Sequence, residues 1–393
     1  MIGTNKLIDE LNDLIDGGGL DKLELIQAFG AIESLEKNGV NIVGLSSELP
    51  DALLNQGRFF YVLETNEYVM SDGSSWSNEN IISAATAPNV WSWGNSGSGR
   101  LGDGTTTNRS SPVSVVSGFT DWIQISAGTA HSLAVRANGT AWSWGLNTFG
   151  RLGDGTEIDR SSPVSVVSGF TDWIQISAGT AHSLGVRANG TAWSWGLNTF
   201  GRLGDGTTTQ RTSPVSVVGG FTDWIQLSAG NLHSLGLRAD GSIWAWGINA
   251  NGRLGDGTTT SRTSPVSVVG GFTDWIQLSA GDAHSLGVRA NGTAWSWGFN
   301  GNGRLGDNTT TNRFSPVSVV GEFTDWISVD AGNAHSLAVR ANGTAWAWGL
   351  NTNGQLGNNT TTSQRSPVSV IGGFTDWISV SAGGTQSAAI RAT

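Results

Sequence analysis

Asn189-Gly190-Thr191-Ala192-Trp193-Ser194-Trp195-Gly196 is the stretch whose reading decides the fold. Trp alternates with small residues, a period of two that belongs to a strand. Asn-Gly in front of it is the strongest short hairpin signal, because a type I′ turn needs two residues that tolerate positive φ. Ser183 to Ala188, with Leu184 and Val186 on one face, then reads as the preceding strand, and Trp173 to Ser177 as the one before that. Further upstream, Pro163 to Val167 is a strand with Pro at its start, where the lost N–H is tolerated. A Gly-rich loop, Gly145 to Gly155, separates it from Thr140 to Trp144, which repeats the opening pattern.

That repetition is regular. Trp-x-Trp-Gly begins at Trp91, Trp142, Trp193, Trp244, Trp295 and Trp346, 51 residues apart each time. Asp-Trp recurs from Asp121 to Asp376, and His-Ser-Leu at His131, His182, His233, His284 and His335, with Gln386 in the sixth place. Residues 88–393 therefore hold six units of 51. Four strands per unit at a period near 50 point to a β-propeller blade, whose small sheet needs neighbours to cover both faces. The region starts on a strand without its preceding hairpin partner and ends, at Gln386 to Ala392, on one without its following partner. Joining the two predicts an all-β, six-bladed ring closed by pairing of its first and last strands, which would leave no open edge.

Of 393 residues 57 are Gly, 19 are Trp and none is Cys, which excludes a disulfide scaffold and a Cys-ligated zinc site. No apolar run approaches the length of a membrane-spanning helix, so membrane insertion is not expected. Residues 1–87 hold 14 Asp/Glu against 4 Lys/Arg, while residues 88–393 hold 17 of each sign and no Lys. A neutral ring beside an acidic N-terminal region argues against nucleic acid as a partner, with room only for a local ring of Arg.

The ordered motifs Ala-Gly-x-x-His-Ser-Leu, Asn-Gly-Thr-Ala-Trp-Ser-Trp-Gly, Asn-x-x-Gly-Arg-Leu-Gly-Asp-Gly and Ser-Pro-Val resemble the repeat of the regulator of chromosome condensation family over residues 88–393. The resemblance implies a propeller. It also implies a founding member of seven blades that binds nucleosomes and promotes nucleotide exchange on a small GTPase. The six equal units here leave no room for a specialised insertion, so the exchange activity is not carried over.

The recurring polar residues read as structural. One His per unit suits a hydrogen bond between blades, and Gln386 in the sixth place fits that role but not metal ligation. Asp103, Asp154, Asp205, Asp256 and Asp307 suit loop turns, and Asn358 replaces them in the sixth unit. Arg136, Arg187, Arg238, Arg289, Arg340 and Arg391 suit pairing with the Asp before Trp. Trp142, Trp193, Trp244, Trp295 and Trp346 read as repeat core. No nucleophile elbow or phosphate loop occurs, so no enzyme, cofactor or metal is expected. The units differ chiefly after Trp-x-Trp-Gly, before His-Ser and after Gly-Asp-Gly. The first of these loops supplies the candidate ligand residues Asn147, Phe149, Asn198, Phe200, Asn249, Asn251, Phe299, Asn302, Asn351 and Asn353.

Residues 1–87 carry the functional expectation. Leu7, Leu11, Leu14 and Ile15, then Leu25, Phe29, Ile32 and Leu35, mark two short acidic helices. A hairpin follows from Gly57 to Leu63 and Glu67 to Ser71, with Asp72-Gly73 and Trp76 behind it. It resembles the small hairpin modules of bacteriophage tail-fibre and other virion proteins. The resemblance implies a non-enzymatic virion protein, oligomeric and anchored to other virion proteins through residues 1–87, showing its loops to a host receptor or glycan. The alternatives are a cellular adaptor for a protein partner and a glycan-binding lectin.

Overall fold

The computed structural model describes residues 90–392 and four short strands before them, Val40–Val43, Phe59–Val62, Glu67–Ser71 and Trp76–Ser77. The chain divides into two units, Met1–Ala87 and Pro88–Thr393. In the first, Phe59–Val62 pairs antiparallel with Glu67–Ser71, Phe59 opposite Met70 and Val62 opposite Glu67, so the expected hairpin is formed. Val40–Val43 adds to it in parallel and Trp76–Ser77 antiparallel. The two helices expected within residues 4–37 lie outside the described residues.

The second unit is a six-bladed all-β propeller of 51-residue repeats. One blade runs Trp173–Ala178, His182–Arg187, Ala192–Gly196, Arg211–Ser216, four antiparallel strands in sequence order from the inside outwards. The innermost strands of successive blades lie against one another and so define the inside. Their free edges are met by side chains of the preceding blade. Gln124 accepts from the Ile176 N–H at 2.9 Å, and Ser126 Oγ from the Ala178 N–H at 2.9 Å. This answers the unpaired edge that a strand otherwise exposes.

The Asn-Gly turns form hairpins of a different type from the one expected. Only Gly190, at φ 71°, takes positive φ, while Asn189 does not. The Gly190 N–H donates to the Arg187 carbonyl, and the Asn189 side chain accepts from the Thr191 N–H. The link is thus a three-residue connection with Gly in the left-handed place and an Asn-anchored turn before it. Pro163 also differs from expectation, standing inside Arg160–Ser165. It is tolerated because that strand is the outermost and its register slips between Arg160 and Val164.

Blades hold each other through Trp. Leu133, Val135, Ala141 and Val166 of one blade enclose Trp173, Ile176 and Trp195 of the next. Trp195 is wholly buried and meets Trp173 edge-on at 5.9 Å between ring centroids. Burying one such ring stabilises by on the order of 5 kcal/mol. Gly153 of the preceding blade makes the fit possible. A Cβ there would stand 2.7 Å from the Trp195 indole nitrogen.

Five blades are complete, and the sixth is present as its two halves. Trp91–Gly94 pairs with Arg109–Ser114 at one end of the array, and Trp377–Ala382 with Ser387–Arg391 at the other, as separate two-stranded sheets. The expected pairing of first and last strands is not formed. The Trp–Gly and His–Ser contacts occur together at the four interfaces between complete blades, while the junction with the first half-blade has only the Trp slot and that with the last only the His link.

Candidate functional site

Chemically distinctive side chains gather at the turn between the first and second strand of each blade. Arg151 follows the loop after the third strand and reaches across to the next blade, where its Nη1 donates to the Thr180 carbonyl at 2.7 Å. Arg100, Arg202, Arg253 and Arg304 make the same bond to Thr129, Asn231, Asp282 and Asn333. Arg202 is 1% exposed, and the Nε atoms of Arg100, Arg202, Arg253 and Arg304 are buried without a partner. Among the described residues none of the five is in a salt bridge, whereas the other recurring arginines are. Burial pushes Arg202 down to about 10, with the Arg151 charge adding to it, so the guanidinium stays charged at neutral pH. Burial likewise lowers Arg304 to about 10.

Over this row of cations lies a row of half-exposed to exposed polar side chains, one per blade: Thr129, Thr180, Asn231, Asp282 and Asn333. They touch along the row. Thr129 Oγ1 is 3.3 Å from Thr180 Oγ1, and Asn231 donates to Asp282. At the opposite end of the innermost strands, Ile123, Ile174, Ile225, Ile276, Ile327 and Ile378 are each about half exposed. One mouth of the propeller is therefore polar with buried positive charge beneath, and the other is apolar.

The residues singled out from the sequence fall elsewhere. Asn147, Asn198, Asn249 and Asn351 are wholly buried. The Asn147 amide donates to Asp154 at 2.9 Å and its oxygen accepts from the Leu152 N–H, so it organises its own loop and offers nothing to a ligand. Asn198, Asn249 and Asn351 make the same pair of bonds. Phe149, Phe299, Asn251 and Asn302 are half-buried, the Phe299 ring lying under Arg304. Only Phe200 and Asn353 of the ten are exposed. Trp142, Trp193, Trp244, Trp295 and Trp346 are half-buried, and each indole N–H donates to a hydroxyl two residues earlier.

The histidines join blades. His182 Nε2 lies 2.9 Å from Ser234 Oγ, and that hydroxyl gives its own proton to the Arg202 carbonyl. The His nitrogen must therefore be the donor, which leaves the buried Nδ1 bare. His131, His233, His284 and His335 do the same toward Ser183, Ser285, Ser336 and Ser387. Burial first, and then nearby Arg charge, pushes His131 down to about 3 and His335 to about 4. Among the described residues no three His, Cys, Asp or Glu gather as a metal site would need. The other recurring Arg and Asp pair within each blade, as Arg187 with Asp172 at 2.8 Å and Arg160 with Asp154 at 2.7 Å. The sequence did not single out the arginine of Gly-Arg-Leu-Gly or the isoleucine of Trp-Ile. Their only signal was recurrence without a core or pairing role, the arginine in five units with Gln355 in the sixth and the isoleucine in all six.

Residues 75–333 match the RCC1-like domain, and residues 342–390 match the regulator of chromosome condensation (RCC1) repeat. The chain belongs to the family of RCC1-like domains. It is 32% identical over 275 residues to the ultraviolet-B receptor UVR8 of Arabidopsis thaliana, spanning 68% of this chain and 62% of that one. It is 29% identical over 306 residues to the mouse E3 ubiquitin-protein ligase HERC2, 75% of this chain but 6% of the ligase. Among solved structures, human WBSCR16 matches with a TM-score of 0.69 at 22% identity, covering 77% of this chain and 82% of that one. Yeast RCC1 (Prp20), in a structure with Kap60 bound, matches with a TM-score of 0.51 at 19% identity, covering 80% of this chain and 92% of that one. This RCC1-like chain therefore spans less than two thirds of the curated relatives named here. Those relatives are cellular proteins, and the virion reading gains no support from them.

Proposed function

We propose that this RCC1-like propeller is a non-catalytic platform that binds a protein partner through its polar mouth. The observation that carries this reading is the inner-turn row itself. Thr129, Thr180, Asn231, Asp282 and Asn333 come from five blades, differ in type among the units, and occupy the same turn in each, with Thr129 against Thr180 and Asn231 against Asp282. Varied loop residues held on a repeated strand frame are a common basis of recognition. The buried guanidiniums beneath suit an acidic segment of the partner. A cellular adaptor role fits the relatives better than a place in a virion does, and the yeast propeller seen with Kap60 bound supports a protein as ligand.

Affinity capture with the whole chain, followed by identification of what is retained, tests the reading. Asn231→Lys with Asp282→Lys on the polar mouth should release the partner, and Ile225→Asp with Ile276→Asp on the apolar mouth should keep it. Retention by the first pair and loss by the second would move the site to the other mouth.

A further inference from the structure

Two of the inner turns are alike except for one charge. Asp282 accepts from Arg253 Nη1 through its carbonyl at 2.9 Å, and Arg304 belongs to its own blade. Burial lowers the pKa of both guanidiniums, and in both the Asp282 carboxylate works against that lowering. The mouth thus carries its own counter-charge at this turn. Two units earlier, Thr180 holds the place of Asp282. Its carbonyl accepts from Arg151 Nη1 at 2.7 Å, and Arg202 belongs to its own blade. Here no carboxylate acts on Arg202, which burial and the Arg151 charge both lower. The carboxylate acting on Arg151 is that of Asp159, an exposed residue that already accepts from the Asn147 N–H.

Both guanidiniums are enclosed, Arg151 at 5% and Arg202 at 1% exposure. Like charges held close together out of water, with no opposite charge beside them, are costly. In Arg151, Nε and Nη1 donate to the Thr148 and Thr180 carbonyls. In Arg202, Nη1 donates to the Asn231 carbonyl at 3.0 Å, and Nε is enclosed without a partner. Among the described residues the Nη2 of each makes no hydrogen bond, yet neither is an enclosed atom, so it is the donor left for a group at the surface. Beside them the Thr129 and Thr180 hydroxyls lie 3.3 Å apart and each has a proton to give. Two cations and two hydroxyls from neighbouring blades suit a doubly charged, tetrahedral acceptor. Its several oxygens take donors from different directions, and guanidinium pairs with them well.

We propose that the turn at Thr180 binds an oxyanion of the phosphate class, free or carried on a side chain of the partner, with Arg151 and Arg202 as its cationic floor and Thr129 and Thr180 as hydroxyl donors. The proposal rests on the reading of the polar mouth as a binding surface and names the chemistry that one part of it takes. Asp282 shows what the bound anion does: it sets a negative charge against the same pair of arginines, two blades along. The anion site is therefore confined to the turn that lacks such a carboxylate.

Inorganic phosphate titrated into the full chain, against chloride at matched ionic strength, should give saturable binding by calorimetry and a rise in the denaturation midpoint. Thr180→Asp copies the arrangement at Asp282. It should weaken phosphate binding by about tenfold or more and raise the midpoint in the absence of phosphate. Thr180→Asn, close in size and neutral, should keep most of the binding. A short peptide with one phosphoserine, bound more tightly than inorganic phosphate and than its unphosphorylated form, would put the anion on the partner, and the reverse order would make it a free ion. No saturable binding of either probe, or binding by Thr180→Asp equal to that of the unsubstituted chain, would overturn the proposal. Partner capture is read without phosphate on the Asn231→Lys with Asp282→Lys chain, so this site can fail while the platform stands.

Discussion

Trp195 and Trp93 occupy the same place in the 51-residue unit, yet one is wholly buried and the other 63% exposed. Their neighbours along the chain are almost the same. What differs is the sheet on the far side: Trp195 has Leu133, Val135 and Val166 of the preceding blade against it, and among the described residues Trp93 has none of their equivalents. The Trp-x-Trp-Gly motif thus encodes half of an interface. The second half comes from the unit before it, through the glycine that leaves the slot. A repeat of this kind is stable in its interior and unfinished at its ends, as expected where each unit contacts only its neighbours.

Acid should break the interior most strongly. His131 is pushed down to about 3 and His335 to about 4, with burial the leading cause, and His182, His233 and His284 lie well below their ordinary value for the same reason. Unfolded, each takes a proton near pH 6.5. Below that pH the unfolded chain binds more protons than the folded one, so stability falls as pH falls. The contribution is complete above about pH 6.5 and is lost toward about pH 3–4. In that window each His that stays neutral in the folded chain costs at most about 1.4 kcal/mol per pH unit. The loop aspartates act in the same direction: burial alone would raise Asp154, but bonds from Thr156 and Arg160 outweigh it and hold it below the usual carboxylate range. Denaturant unfolding at pH 7, 5.5 and 4.5 should show the steep loss, and His182→Gln should reduce the slope by about one proton. A curve flat down to pH 4.5 would show that the histidines are open to solvent.

The two tryptophans give the next largest effect. Trp195→Ala opens a cavity between two blades and should cost about 3–5 kcal/mol in denaturant midpoints analysed with unchanged m. Trp93→Ala should cost less than about 1 kcal/mol. Equal losses would mean that Trp93 is covered in solution, either by its own chain or by another.

The interior was legible in the sequence because repetition made it so. A Trp, a His-Ser pair and an Asp-Trp recurring at 51 residues pointed to a propeller blade over a flat tandem solenoid, since neighbouring blades cover both faces of each small sheet. The roles of His131 as a link and of Arg187 as the partner of Asp172 followed from their position in the unit. The loop residues were harder to place. Asn147 looked like a binding residue because its loop varies, but side-chain amides are also what a tight loop uses to satisfy its own backbone, and burial decides between the two. The open ends were illegible for a different reason. Complementary half-blades can be read from the pattern, but whether they pair depends on packing summed over every interface between them, which leaves no period in the sequence.

Asp330 offers the finest test of how far one interface can differ from the rest. It stands where the other blades have Ser126, Ser177, Ser228, Ser279 and Ser381. Its carboxylate accepts from Ser279 Oγ at 2.8 Å and from the Ala382 N–H at 2.7 Å, the second across the interface to the last half-blade. Burial raises its pKa, and the hydrogen bonds offset only part of that rise. The folded chain therefore binds this proton more readily than the unfolded one, and the cost of ionising it appears as pH rises through the raised value. Asp330→Ser restores the pattern of the other interfaces, since a hydroxyl there accepts from the next blade's N–H as Ser279 does from Ala331 at 3.0 Å. The substitution should stabilise the chain at pH 7 by about 1 kcal/mol and by nothing measurable near pH 4. A gain at pH 4 equal to that at pH 7 would place the effect in packing and not in charge. A loss at both would mean that Asp330 holds the last half-blade more firmly than Ser does elsewhere, making this interface the strongest of the five at the point where the array ends.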